Sequence, residues 1–391
     1  GGGYAQSGMG LGPGFFLLAV DFEKIIKKGA KAIIEECKAE LEKLRYYEPD
    51  CIEKKHFWDS VILVYEAWIR FANRYADLAE KMAEETEDEH RRKELVMISR
   101  NCRRVPEYPA ENFREAIQSF WFAFLMVCPS PTAAAGRFDQ YMYPLYKNDI
   151  EKGLITDEEV LELIEILRIK DMKLNRVSGK ANRKKNSGMA KWHNWTLGGV
   201  KADGTDAANE LTSLVMKAAL ETKVPHFTCT LRVHGETSLD LIVEGLKVVR
   251  EGLGMPAFVG DPSYIKFFTS NGNTVEEARD YCMTGCLDGN IPAVTRCQTV
   301  VMFIIAQAFD IFMHNGFCKF SNEIVGIETG DVTKFETFEE YEAAFYKQFG
   351  YLIGLAVERN NIEMISQRDL FPDPFRSSLM KNGIKEGKDL L

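Results

Sequence analysis

Between Trp195 and Tyr281 the apolar residues switch repeatedly between two spacings, and this switching restricts the fold more than any other feature of the chain. Trp195 to Val200, Phe227 to Val233 and Ala257 to Val259 are short apolar or β-branched runs that read as strands. Asp206 to Leu220, Ile242 to Val249 and Thr274 to Tyr281 carry helical spacing. Strand and helix in strict alternation predict an α/β assembly, not separate all-α and all-β domains.

The segments on either side extend this frame. Residues 21–100 are helical in pattern: Phe22, Ile25, Ile26, Ile33 and Ile34 recur at three- and four-residue spacing, and Trp58 to Ala79 repeats the stripe. The charge run Thr86 to Arg92 reads as a solvated helix face. Phe113 to Val127 is almost wholly apolar, which predicts a helix buried on most sides and ended by Pro129 and Pro131. Thr156 with Asp157, Glu158 and Glu159 opens a further helix to about Leu174. Lys180 to Lys185 reads as an exposed connection. Gln298 to His314 is expected to be one long, central apolar helix, and Phe338 to Arg359 an amphipathic one. No repeat or low-complexity linker divides the 391 residues.

Composition then narrows the partners. A net charge of -9 supplies no basic excess to displace counterions from a phosphate backbone, so nucleic acid is not an expected partner. The apolar stretch Phe15 to Val20 is too short to span a bilayer and has no basic segment before it, so neither a membrane span nor a signal peptide is expected. The nine cysteines are scattered and form no Cys-x-x-Cys pair, so no metal site or disulfide framework is expected; reduced thiols and a cytoplasmic location are the expectation. The chain opens with Gly-Gly-Gly and no Met, so its ends are not expected to be natural ends.

The segment from Thr274 to Pro292 concentrates the chemistry. A capped helix leads into a glycine-bearing loop, Gly285-Cys286-Leu287-Asp288-Gly289, ahead of the apolar run that starts at Gln298. Catalytic groups concentrate on loops held by rigid cores. A thiol at the tip with a carboxylate two residues on suits nucleophilic or radical chemistry coupled to proton transfer. The plainer alternative is a buried structural cysteine beside a turn-stabilising aspartate.

Several stretches bear on that choice. They are Phe113 to Phe122 followed by Gly136-Arg137-Phe138-Asp139-Gln140-Tyr141; Leu197 to Val200 with Gly204 to Thr212; Gly285 to Asp288 with Asn315-Gly316; Thr329 to Asp331; and Pro372 to Phe375. In this order they resemble glycyl radical enzymes of the pyruvate formate-lyase-like family, in its dehydratase and decarboxylase branch. The resemblance covers nearly the whole chain. It implies a ten-stranded α/β barrel, surrounded by helices and incomplete at both ends, with the Cys loop inserted through its centre. Residues 1–391 would form a partial barrel domain, lacking the C-terminal glycine radical domain. The implied activity is that of a lyase, in which Cys286 becomes a thiyl radical and takes hydrogen from a small organic substrate. No cofactor would stay bound. A glycyl radical on a further C-terminal loop would be installed by an activase carrying S-adenosylmethionine and an iron–sulfur cluster, and a homodimer is expected. The assignment requires the Cys286 sulfur to be enclosed, away from the solvent surface.

Four departures from the family pattern limit what carries over. The radical-bearing Arg-Val-x-Gly-Tyr motif is absent, and Arg176-Val177-Ser178-Gly179-Lys180 reads as a helix end. Asp288 stands where dehydratases usually have Glu, a carboxylate drawn back by one methylene. Phe15 and Phe16 follow Pro13-Gly14 where dehydratases commonly have His; Phe15 is therefore a candidate substrate contact, and a larger or apolar substrate such as an arylacetate is favoured. A single cysteine at 286, with Cys282 expected to be structural, argues against acyl transfer between pyruvate and coenzyme A.

Ser130, beside Cys128, is a candidate substrate contact by the same resemblance. So is His226, next to a predicted strand, and Arg296 could grip a substrate carboxylate through its forked guanidinium. Loop capping and hydrogen-bonded structural roles are the alternatives for Ser130 and for His226 and His234. His314 reads as a helix C-terminal cap, and Arg137 with Asp139 as a structural pair. An inactive relative or fragment serving as a binding subunit is the second functional reading. A Cys-dependent hydrolase is the third and would need a His near Cys286.

Overall fold

A computed structural model of the chain describes residues 5–7, 17–127, 133–174, 193–224, 228–295, 301–370 and 372–390. These fall into two compact units: residues 1–13 with 298–372, and residues 14–297 with 373–391.

The larger unit begins with helices whose apolar stripes match the sequence pattern. Helix α1 is Phe22–Lys43, α2 Cys51–Glu85, α3 Glu89–Arg104 and α4 Phe113–Val127. The charge run at 86–92 is not one helix face. Residues 86–88 are the break between α2 and α3, and Glu89 to Arg92 are the solvated first turn of α3, where the Asp88 carboxylate accepts from the backbone N–H groups of His90 and Arg91. In α4, Phe113, Ala116, Phe120, Phe122, Ala123, Phe124 and Val127 are all buried, as an apolar helix requires. Helix α5 is Phe138–Tyr141, α6 Tyr143–Glu151 and α7 Asp157–Met172; α7 opens with the Thr156–Glu159 capping box.

The α/β part follows. Strand β1 is Ala5–Ser7, in the smaller unit; β2 is Trp195–Gly198, β3 Cys229–Val233 and β4 Ala257–Gly260. Strands β2, β3 and β4 form a parallel sheet with Thr196 opposite Thr230 and Arg232 opposite Val259. Helices α8 (Glu210–Thr222) and α9 (Leu239–Arg250) are the crossovers that parallel strands require. Trp195 stacks on Phe138 at 4.0 Å and meets Phe120 edge-on at 5.8 Å, which seats the sheet on α4 and α5.

Alternation therefore predicted the α/β class correctly, but the expected ten-stranded barrel is not formed among the described residues. The parallel sheet has three strands and does not close. Three tilted strands are too few for a sheet to meet its own edge.

In the smaller unit β1 pairs antiparallel with β7 (Val301–Phe303), Ala5 opposite Phe303. The expected helix from Gln298 is thus corrected: residues 301–303 are strand, because their backbone finds a partner in residues 5–7, and the helix runs only over Ile305–Met313. Nor is it buried all round. Ala308, Ile311 and Phe312 are buried, and Ile305 and Phe309 are exposed. It packs on the helix Phe338–Leu370, with Phe312 edge-on to Phe345 at 5.4 Å. His314 ends it, its ring bonded to the Asp310 carbonyl at 2.7 Å, in the cap position expected. Among the described residues no helix is long and apolar enough to cross a membrane.

Candidate active site

Thr274 and Glu277 form a capping box for a five-residue helix, Val275–Arg279. The chain then enters β5 (Cys282–Thr284), turns through residues 285–287 and returns as β6 (Asp288–Asn290). Cys282 lies opposite Asn290 and Thr284 opposite Asp288. The expected loop is a tight hairpin with Cys286 at the middle of its turn. Gly285, at φ +55°, supplies the left-handed residue the turn needs.

A buried ionic cluster anchors the base of the hairpin. Arg232, on β3, is fully buried and grips Asp261 through two bonds, Nε to Oδ1 at 2.8 Å and Nη2 to Oδ2 at 3.0 Å. The same guanidinium donates to the carbonyls of Tyr281 and Arg279, each at 2.8 Å, and lies 3.8 Å from the centre of the Tyr281 ring. The Tyr281 hydroxyl closes the ring of contacts by donating to Asp261 Oδ1 at 2.7 Å. Every charge and donor here has a partner, the condition under which buried charges hold a structure rigid. Gly199, at φ +78°, leaves the space that this guanidinium fills; a Cβ there would lie 2.7 Å from Arg232 Cζ.

A second set of contacts reaches the tip. Thr196 on β2 accepts from the Met283 N–H at 2.8 Å, Asn194 donates to the Cys286 carbonyl at 3.4 Å, and Tyr264 donates to the Leu287 carbonyl at 3.4 Å. These residues were not singled out from the sequence. The available signal was polar side chains at period two in otherwise apolar strands: Asn194 and Thr196 on one, Thr230 and Arg232 on the next.

Cys286 is the only exposed cysteine among the seven described; Cys37, Cys51, Cys102, Cys229, Cys282 and Cys318 are buried. The requirement that its sulfur be enclosed is not met by these residues, since a three-stranded sheet leaves the hairpin tip uncovered. A cleft of about 230 Å³ lies between Val20–Glu23, Ala135–Arg137, Gln140, Tyr141, Asp280 and Pro292–Ala293, and neither Cys286 nor Asp288 lines it. Cys282 fits the structural role expected: full burial pushes its thiol pKa up and keeps it protonated.

Partial desolvation raises the Cys286 thiol above its ordinary range, and the Asp288 charge adds to the shift. Burial alone raises Asp288 and favours its protonated form. Alkylation with iodoacetamide is therefore expected to label Cys286 first among the described cysteines. Its half-maximal rate should fall above the usual thiol range of about pH 8.5. Asp288→Asn should move that midpoint to lower pH; peptide mass spectrometry across a pH series reads both.

Phe15, Ser130, His226 and Arg296, together with Cys128, the 176–180 stretch and Lys180–Lys185, lie outside the described residues. His234 bonds Asp206 at 3.0 Å, the structural role expected. Arg137 and Asp139 do not pair with each other. Arg137 bonds the Gly198 carbonyl at 3.0 Å and the Asp280 carboxylate at 3.2 Å, whereas Asp139 accepts from the Gly198 N–H at 2.8 Å and the Thr212 hydroxyl at 2.6 Å. Both tie α5 to the end of β2, so their part is structural. A further buried pair that the sequence reading missed, His193 with Asp171 at 2.7 Å, sits edge-on to Phe124. Among the described residues no three His, Cys, Asp or Glu side chains are grouped to hold a metal ion.

Comparison with known proteins agrees with this geometry. Isethionate sulfite-lyase of Oleidesulfovibrio alaskensis is 32% identical over 383 residues, covering 95% of this chain and 46% of the relative. A solved structure concerned with 1,2-propanediol dehydration in Roseburia inulinivorans superposes with a TM-score of 0.93 at 32% identity, over 99% of this chain and 49% of that one. The glycerol-bound B12-independent glycerol dehydratase of Clostridium butyricum gives 0.91 at 33%, over 97% and 48%. The chain spans about half the length of the relatives it matches. The family model described as pyruvate formate lyase-like matches residues 16–391, and the chain belongs to that family.

Proposed function

We propose that this chain carries the thiyl-radical half of a glycyl radical lyase that eliminates a leaving group from a small oxygenated organic molecule, with Cys286 as hydrogen-atom carrier and Asp288 as proton carrier. One observation supports this most: among the described cysteines, only the thiol of Cys286 is both exposed and held at the tip of an anchored hairpin. The lyase and dehydratase relatives favour elimination of that kind.

The glycyl radical, brought by a further segment, supplies the means of removing the Cys286 hydrogen atom. Cys286 then takes a hydrogen atom from a substrate C–H, so that an S–H bond forms and the unpaired electron passes to carbon. For a diol, the neighbouring hydroxyl leaves as water with the proton held by Asp288, and the hydroxyl on the radical carbon returns a proton to that carboxylate. The product radical recovers the hydrogen atom from Cys286, and atoms and electrons balance over the cycle. Burial raises the Asp288 pKa, the direction that favours a carboxyl giving a proton to a poor leaving group.

The reading carries a requirement. A thiyl radical open to water and oxygen would be quenched, so the working enzyme must cover the Cys286 tip with structure that the described residues do not provide. It also calls for an S-adenosylmethionine and iron–sulfur activase as partner, and we place the enzyme as a cytoplasmic homodimer. Asp288→Asn in the complete, activated protein is expected to lower kcat by about 100-fold, with KM changed little. Steady-state assays against 1,2-diols and hydroxysulfonates read this, and unchanged kcat on every substrate turned over would remove Asp288 from the mechanism.

A further inference from the structure

We propose that Asn194 is a positioning residue for the Cys286 sulfur, acting through the peptide carbonyl of Cys286. The inference rests on the reading of Cys286 as hydrogen-atom carrier.

Asn194 precedes β2 and is fully buried, as are Thr196 and Thr230. Its amide is held at both ends: Nδ2 donates to the Cys286 carbonyl at 3.4 Å, and Oδ1 accepts from the Thr230 hydroxyl at 3.0 Å. Thr196, two residues on and on the same face, holds the Met283 N–H at 2.8 Å. One face of the sheet thus grips the hairpin at two points, with Thr230 bracing Asn194 from the neighbouring strand. Thr196 locates the ascending strand. Among the described residues Asn194 alone reaches from the sheet region to the residue whose side chain reacts.

The geometry explains why an amide stands there. It must donate to a carbonyl in one direction and accept from a hydroxyl in the other, which an asparagine does and an ionised aspartate does not. Without the donor, the turn is still held by the β5–β6 pairing, the Thr284 hydroxyl bond to the Asp288 carbonyl and the anchors at Met283 and Leu287, but among the described residues no side chain then holds the Cys286 carbonyl itself. Hydrogen-atom transfer proceeds at contact distance, so a small displacement of the turn costs rate, with substrate binding and the amount of radical left as they were.

The test uses the complete, activated protein, with glycyl radical counted by electron paramagnetic resonance and kcat expressed per radical. Asn194→Asp keeps the size and the bond to Thr230 and, assayed at a pH where the new carboxyl is ionised, loses the donor. It is expected to lower kcat per radical by about 10- to 100-fold, to leave KM within twofold, and to raise the isotope effect on kcat with substrate deuterated at the abstracted position. Thr230→Val, which removes the brace, should move kcat and the isotope effect in the same direction by a smaller factor. If both variants show wild-type kcat per radical and an unchanged isotope effect, the proposal is overturned. Lower thermal stability and radical yield with kcat per radical intact would also overturn it, because that is the signature of a purely structural bond. Should Asn194→Asp fail to accumulate, Thr230→Val decides alone. Cys286→Ala is run beside them: turnover in that variant would sink the hydrogen-carrier reading itself, an outcome distinct from any result at Asn194.

Discussion

Cys286→Ala in the complete, activated protein is expected to abolish turnover, a fall of at least about 1,000-fold, while the glycyl radical signal in electron paramagnetic resonance persists. Alanine keeps the backbone, and with it the Asn194 bond to the carbonyl of residue 286, the Thr196 bond to Met283 and the left-handed Gly285. It removes only the sulfur that carries hydrogen from substrate to product. Among the described residues no neighbouring thiol can substitute, since Cys282 is fully buried in a cluster with Ala19 and Ala134. The persisting radical signal separates loss of the carrier from loss of activation. Turnover surviving in this variant would refute the role assigned to Cys286.

Asp261→Ala should produce the largest loss of stability, about 3–5 kcal/mol, read as a lowered urea midpoint. The carboxylate is the bidentate partner of a guanidinium that has no exposed surface, and it also accepts the Tyr281 hydroxyl. Without it Arg232 is a buried charge with carbonyl partners only, which is far more costly than an absent pair. The double variant Arg232→Met with Asp261→Leu tests that cause: it should recover much of the loss, because the charge and its counter-charge leave together. Equal midpoints for Asp261→Ala and the double variant would show that the penalty comes from lost packing instead. Since the same guanidinium holds the carbonyls of Arg279 and Tyr281 at the foot of the hairpin, Asp261→Ala should also loosen the Cys286 tip. Faster amide hydrogen exchange over residues 282–290 would report that.

Much of the site's chemistry could be read in one dimension because it is local. Cys286 and Asp288 stand two apart, the glycine that allows the turn precedes the thiol, and the acidic first turn that caps the incoming helix lies within the same twenty residues. Its support could not be read that way. Asn194 and Cys286 are separated by 92 positions and Arg232 and Asp261 by 29, and no periodicity links them. Phe15 and Ser130 rested on resemblance, His226 on its place beside a predicted strand and Arg296 on its forked guanidinium, and all four lie outside the described residues.

The amino-acid sequence by itself determined most of the helices and the three parallel strands, because apolar spacing and capping residues act within a few positions of one another. It determined the α4 helix to the residue, the three strands expected at Trp195 to Val200, Phe227 to Val233 and Ala257 to Val259 with their ends off by a residue or two, and membership of a radical-enzyme family. Tertiary structure alone decided that Val301–Phe303 is a strand and not the start of a helix, through its pairing with Ala5–Ser7. It alone decided that the sheet of these residues stays open at three strands, with the thiol at an exposed tip. The physical reason is the same in each case. A backbone edge or a buried charge takes its lowest free energy from whichever partner folding brings to it, and distance along the chain carries no information about that partner.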